Sequence, residues 1–143
     1  MELINLEMDK LDKLLLEAIS VIPSEISENI KNFIFAKSKR IRPSLIFLTA
    51  KALNIDVSEN VLKLACAVEI IHNATLIHDD IIDNAQKRRG KLSLNRQIGN
   101  NLSVLSGDIL LSIAMHQLTS LNNCEIFKIF SSALQKMCTG EIN

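Results

Sequence analysis

The sequence predicts an all-α fold, an antiparallel bundle of about six helices, and three observations carry that prediction. Turn-formers are scarce, with four Gly and two Pro among 143 residues. Leu, Ile, Ala and Lys are abundant, as in chains built of long helices. Apolar residues recur at helical spacing, and the connections between the periodic segments are short, which implies antiparallel neighbours.

Composition bounds what such a bundle can do. The chain is 48% hydrophobic and 22% charged, so a packed core is expected over residues 1–143 as a single domain. Sixteen Lys and Arg balance sixteen Asp and Glu, which excludes an overall electrostatic grip on nucleic acid but leaves room for local clusters. Three Cys without a CxxC argue against a disulfide framework or zinc site and fit a reducing compartment. Cys66 and Cys138 read as small core residues. No secretory leader is visible, and no apolar run reaches the roughly 18–20 residues that span a bilayer. A cytoplasmic protein with no transmembrane segment is expected.

The elements follow in order. Leu3, Leu6, Leu11, Leu14, Leu15, Ala18 and Ile19 give residues 3–20 a helical period. Pro23 and Ser24 interrupt it, and Ser24 is placed to cap a second helix over about 24–37, with Ile26, Ile30, Phe33 and Ile34 as its apolar face. Pro43 suits the first turn of a third helix, about 43–53, closed by Asn54-Ile55-Asp56. Ser58 or Asp56 caps a fourth, about 58–84. Residues 84–100 hold Gly90 and Gly99 and read as a loop. A fifth helix, about 101–121, is expected to bury Leu102, Leu105, Ile109, Leu110 and Ile113, and Asn122 or Asn123 caps a sixth, about 124–142.

The fourth helix is the informative one. Val61, Leu64, Ala65, Ala67, Val68, Ile70 and Ile71 make it apolar nearly all round, as in a helix buried within a bundle. Its far end nonetheless carries His78, Asp79, Asp80 and Asp83. Asp79 and Asp83, four residues apart, project from one face about 6 Å apart along the axis. His72 lies on the same stripe about two turns below, and Asp80 flanks it. Two carboxylates at that separation repel by about 3 kcal/mol at an effective dielectric near 20, and the helix C-terminus adds to the penalty. A cation relieves both. Hard carboxylate oxygens completed by water and phosphate describe Mg²⁺; a solvated acidic helix end is the plainer alternative.

The next segment is cationic: Lys87, Arg88, Arg89, Lys91 and Arg96, with no acid among residues 84–100. Metal on carboxylates with arginines opposite is a way to hold a diphosphate; local neutralisation of the acids is the alternative. A second cluster, Lys37, Lys39, Arg40 and Arg42, offers a second anion pocket.

These stretches resemble the N-terminal half of a trans-isoprenyl diphosphate synthase of the polyprenyl synthetase family. The resemblance is carried by Ser38-Lys39-Arg40-Ile41-Arg42-Pro43, by residues 67–83 with His72 and Asp79-Asp80-Ile81-Ile82-Asp83, by Arg88-Arg89-Gly90-Lys91, by Gly99-Asn100-Asn101 and by Leu105-Ser106-Gly107-Asp108. It covers about residues 35–143 and implies half of an isoprenoid synthase fold. It further implies Mg²⁺-dependent condensation of isopentenyl diphosphate with an allylic prenyl diphosphate. Asp79 and Asp83 would ligate the metal with Asp80 supporting them. Arg88 would bind the allylic diphosphate, and Lys39, Arg42, His72 and Arg89 the isopentenyl diphosphate. The small residues Ala74 and Thr75 before the aspartates imply a long product, octaprenyl-like or heptaprenyl-like, of the kind that supplies quinone tails.

The pattern departs from the family in three ways. Ser38 stands where glycine is usual, Leu92 where proline is frequent, and a second Asp-Asp-x-x-Asp is absent from this sequence. The domain is therefore expected to be incomplete and inactive alone. The family's homodimer, or a second polypeptide supplying the missing half, is the expected partner, and a non-catalytic subunit of a heteromeric synthase is the alternative. A terpene cyclase shares the aspartates but leaves Arg88-Arg89 and the Lys39/Arg42 cluster unexplained.

Overall fold

The computed structural model describes residues 2–36 and 38–142; Lys37, one of the expected basic cluster, lies outside the described residues. A 3-10 turn at Glu2–Ile4 leads into α1 (Asn5–Ala18), and another, Ile19–Val21, closes it. Then come α2 (Ser24–Ile34), α3 (Ile41–Ala52), α4 (Glu59–Ile82), a hairpin of β1 (Lys87–Arg88) and β2 (Lys91–Leu92), α5 (Leu94–Ile98), α6 (Asn100–Thr119) and α7 (Cys124–Ile142).

The helices form where their apolar stripes can be covered. Leu11 and Leu15 of α1, and Ile26, Ile30 and Ile34 of α2, recur every four residues and are buried. They meet Phe47 of α3 and the apolar body of α4 in one core. Each such side chain, fully buried, stabilises the fold by about 1.5–3 kcal/mol. Helix α4 is the axis: α1, α2, α3, α5 and α6 all pack on it, α6 most extensively.

The sequence sets both ends of α4 and the start of α7. The Ser58 hydroxyl accepts from the Val61 N–H, capping α4. At its other end Asn84 takes a left-handed φ of 52°, and the Asn84 and Ala85 N–H groups donate to the Ile81 and Asp80 carbonyls. This Schellman closure reverses the chain. Asn123 Oδ1 accepts from the Glu125 and Ile126 N–H groups and starts α7 as expected.

Four expectations are corrected. Ser24 is not a cap: it is the first residue of α2, and the Pro23 carbonyl takes the first helical bonds from Ile26 and Ser27. Residues 84–100 are not a plain loop. Arg89 and Gly90, both at positive φ, make the two-residue turn of a hairpin, and α5 follows. The buried face of α6 is Ser103, Ser106, Gly107, Leu110, Ala114 and Leu118, whereas Leu102 and Leu105 are 44% and 54% exposed. The reason is distance: small side chains let α6 approach α4 closely, and the leucines fall on the outer side. Cys138 is exposed, because no residue of α7 is buried.

The membrane expectation also changes. By length and composition alone α4 and α6 are each apolar enough to cross a bilayer; in the fold they are each other's principal neighbours. Averaged over a window, the few polar residues of α4 do not register, yet Glu69, Asn73 and Asp80 all sit in the protein interior.

Gly107 marks the tightest approach of α4 and α6, where an added Cβ would fall on the His78 ring. That ring is held by the Val104 carbonyl, 3.2 Å from Nε2. Gly107→Ala is expected to cost about 1–3 kcal/mol in urea denaturation. At Gly140 of α7 nothing lies within 4 Å, so Gly140→Ala is expected to stabilise by about 0.5–1 kcal/mol.

Candidate functional site

Two acids in the middle of the fold organise the site. Glu69 and Asp80 lie on α4, each 1% exposed, and a buried carboxylate needs a cation and hydrogen bonds to be tolerated. Each receives an arginine from outside α4, Arg40 from the N-terminal end of α3 and Arg88 from β1. Arg40 Nη1 donates to Glu69 Oε1 at 2.9 Å, and Nη2 reaches Asp12 Oδ1 of α1 at 3.3 Å. Arg88 Nε donates to both oxygens of Asp80, at 3.0 and 3.2 Å, and Nη2 adds a third bond. The fork geometry is the strong form of the interaction.

The loop before α3 is shaped by this anchoring. Arg40 takes a left-handed backbone, φ 46°, its guanidinium lies 5.3 Å above the Phe35 ring centroid, and its N–H donates to Ser38 Oγ at 3.3 Å. A positive φ falls on Arg40, two residues after Ser38. Lys39 and Arg42 flank the anchor. With His72 and Glu69 of α4 and Arg89 of the hairpin turn they line a cavity of about 280 Å³. Lys39, Arg42 and Arg89 have no ion-pair partner among the described residues. The cavity is therefore a concentration of uncompensated positive charge. Burial, with Arg40 and Arg88 nearby, makes the charged form of Arg89 less favourable, and Glu69 partly offsets this.

A second, more apolar cavity of about 730 Å³ adjoins it, with Arg42 and His72 in both linings. Thr75, Leu76, Asp79 and Ile82 supply the α4 side of it, and Met137 and Cys138 the α7 side. The cations and Asp79 therefore share one cleft. Asp79 is half-buried, and Asp83 is exposed at the C-cap of α4. Neither side chain has a hydrogen-bond or ion-pair partner among the described residues, in contrast to Asp80.

The expected site residues are thus sorted by their surroundings. Lys39, Arg42, His72 and Arg89 are brought together. Asp79 joins them through the shared lining; Asp83 stands one turn beyond. Asp80 and Arg88 are committed to each other, and Arg88 lines a recess beside α2 that shares Arg89 with the cationic cavity. Thr75 lines the apolar cavity and its hydroxyl donates to the His72 carbonyl at 2.9 Å. Ala74 is buried in the core, away from that lining. Sequence reading missed the Arg40–Glu69 pair; a lone glutamate in an otherwise apolar stretch of α4 was the available signal.

Residues 23–143 match the polyprenyl synthetase family. A decaprenyl-diphosphate synthase of Dictyostelium discoideum is 42% identical over 117 residues, which is 81% of this chain and 26% of that protein. An octaprenyl diphosphate synthase of Escherichia coli K12 is 38% identical over 104 residues, 73% of this chain and 32% of that one. Among solved structures, a decaprenyl diphosphate synthase from Rhodobacter capsulatus superposes with a TM-score of 0.91 at 31% identity, over 97% of this chain and 43% of that one. A polyprenyl synthase from Caulobacter crescentus, complexed with calcium and isoprenyl diphosphate, gives 0.90 at 33% identity, over 99% and 43%. The chain spans between a quarter and a half of the length of these relatives.

Two predictions follow from the charges. Arg88→Met leaves Asp80 buried and unpaired and is expected to cost about 3–5 kcal/mol in chemical denaturation, most of it recovered in the Asp80→Asn/Arg88→Met double variant. Burial and the nearby Arg42, Arg89 and Arg88 hold the His72 imidazole below its ordinary value, against an opposing pull from Glu69. The unfolded chain then binds the proton more readily than the folded one. The stability due to neutral His72 is complete above the ordinary value of about 6.5 and is lost as pH falls below it. Melting measured from about pH 7.5 to about pH 5.5 is expected to show the wild type losing stability relative to His72→Gln.

Proposed function

This chain belongs to the polyprenyl synthetase family, and on that premise we propose that it carries the isopentenyl diphosphate pocket and the metal-binding acids of a long-chain polyprenyl diphosphate synthase. The reaction joins isopentenyl diphosphate head-to-tail to an allylic prenyl diphosphate, with loss of diphosphate and a proton. The supporting observation is the convergence of Lys39, Arg42 and Arg89, without ion-pair partners among the described residues, with His72 on one cavity that shares Arg42 and His72 with the apolar space that Asp79 lines.

The residues divide the work. Lys39, Arg42 and Arg89 hold the isopentenyl diphosphate by its charge, with guanidinium forks matched to phosphate oxygens. His72, whose charged form is disfavoured by burial and its cationic neighbours, donates a hydrogen bond to the same diphosphate. The apolar cavity takes the prenyl chain, and Thr75 is the small residue that borders it. Ala74 acts from the core side of the same helix.

Asp79 and Asp83 fit a magnesium ion: both are carboxylates without an ion-pair partner among the described residues, they offer hard oxygens, and water and diphosphate oxygens complete such a shell. Among the described residues no third His, Cys, Asp or Glu joins them in a ligating group. Bound magnesium supplies charge neutralisation for a departing diphosphate. Arg88, fastened to Asp80, holds the hairpin against the acidic end and adds its charge to the field there.

A partner-dependent form of this activity is favoured by one further observation. No residue of α7 is buried, and its Ile129, Met137 and Ile142 are 65%, 49% and 85% exposed, so this helix leaves apolar side chains uncovered. The partner would be a second copy or a second polypeptide.

Titration calorimetry tests the assignment. Isopentenyl diphosphate is expected to bind without metal, at least about tenfold more weakly in Lys39→Ala and Arg89→Ala, and unchanged in Asp79→Ala. An allylic diphosphate is expected to bind more tightly when Mg²⁺ is present, and Asp79→Ala to abolish that gain. Equal Mg²⁺-dependent tightening in Asp79→Ala would remove the metal assignment.

A further inference from the structure

The cationic cavity contains an acid. Glu69 lines it together with Lys39, Arg40, Arg42, His72 and Arg89, and a bare carboxylate there repels any anion the cations attract. The Glu69 carboxylate is not bare. Arg40 Nη1 donates to it at 2.9 Å and the Asn73 side-chain amide at 3.4 Å. Arg40 is itself fixed on three sides, with its side chain only 11% exposed, its second branch on Asp12 and its face on Phe35. Lys39, Arg42 and Arg89, which share the cavity, make no ion pair with Glu69.

We propose that Arg40 is a positioning residue that masks Glu69, so that the three neighbouring cations meet a diphosphate at full charge. Arg40 acts through Glu69 and not by gripping the ligand. The pair also accounts for a buried acid in an anion pocket: Glu69 is the fixed point that seats the loop, and Arg40, placed between Lys39 and Arg42 in the chain, cancels its charge while doing so. This inference rests on the reading of the cavity as a diphosphate site.

The test is a charge-rescue cycle on the full chain, with inorganic diphosphate as the probe, titrated by calorimetry in the presence of a chelator so that the acidic end of α4 carries no metal. Arg40→Gln is expected to weaken binding at least about tenfold by exposing a buried charge. Arg40→Gln/Glu69→Gln is expected to restore it to within about threefold of the wild type, because the acid and its mask leave together. A double variant as weak as Arg40→Gln overturns the proposal, since Arg40 is then a ligand or only a structural anchor; so does an Arg40→Gln variant that binds normally. If Arg40→Gln does not fold by circular dichroism, Glu69→Gln alone decides. Tighter binding than the wild type supports masking by a charge of equal size, and unchanged or weaker binding overturns it. Failure of the wild type to bind is a separate result that removes the cavity assignment, and this inference with it.

Discussion

An interior charge must be matched, and α4 carries two of them. The effective penalty for burying an ion is several kcal/mol even after relaxation. Glu69 and Asp80 could therefore not persist in the central helix without Arg40 and Arg88. Everything distinctive about the site end of the bundle follows from where those two arginines have to come from. Each is delivered by a connection, one entering α3 and one in the hairpin. Each fastens its connection to the helix that most of the other helices pack against.

Adjacent basic residues consequently do different jobs. In the Lys39–Arg40 pair and again in the Arg88–Arg89 pair, one member is tied to a buried acid and its neighbour has no ion-pair partner among the described residues. Left-handed backbone at Arg40 and Arg89 makes the separation possible, at a cost of about 1–2 kcal/mol per residue. The free members then converge on one cavity because their neighbours are pinned. Side chains ordered in advance bind an anion with less loss of entropy than side chains on a mobile loop.

Much of this was legible in the residues. Periodicity placed the long helices, since the 3.6-residue repeat of Ile26, Ile30 and Ile34 or Leu11 and Leu15 is local information. The basic and acidic clusters were legible as candidates because charge is visible in a sequence. What periodicity could not give was direction. It weighed α6 by its large side chains, and the fold chose Ser103, Ser106 and Gly107 instead because contact with α4 depends on closeness. Nor could composition separate a cation that is spent on a buried acid from one that is free. That distinction rests on long-range pairs, 29 residues apart for Arg40 and Glu69, and on turn geometry at Arg89-Gly90 that the fold imposes.

The hairpin behaves as a ruler. Arg88 lies eight positions after Asp80, and that interval holds the Schellman reversal at Asn84 and the start of the first strand, with the Ser93 hydroxyl tied back to the Ala85 carbonyl at 2.7 Å. No slack remains in it. Shortening the interval by one amino acid sets Arg89 in the place of Arg88, and lengthening it sets Lys87 there; either change moves Arg89 from its place in the cleft, although every charge is still encoded. For this stretch of the gene, the count of codons constrains the chemistry as tightly as their identity.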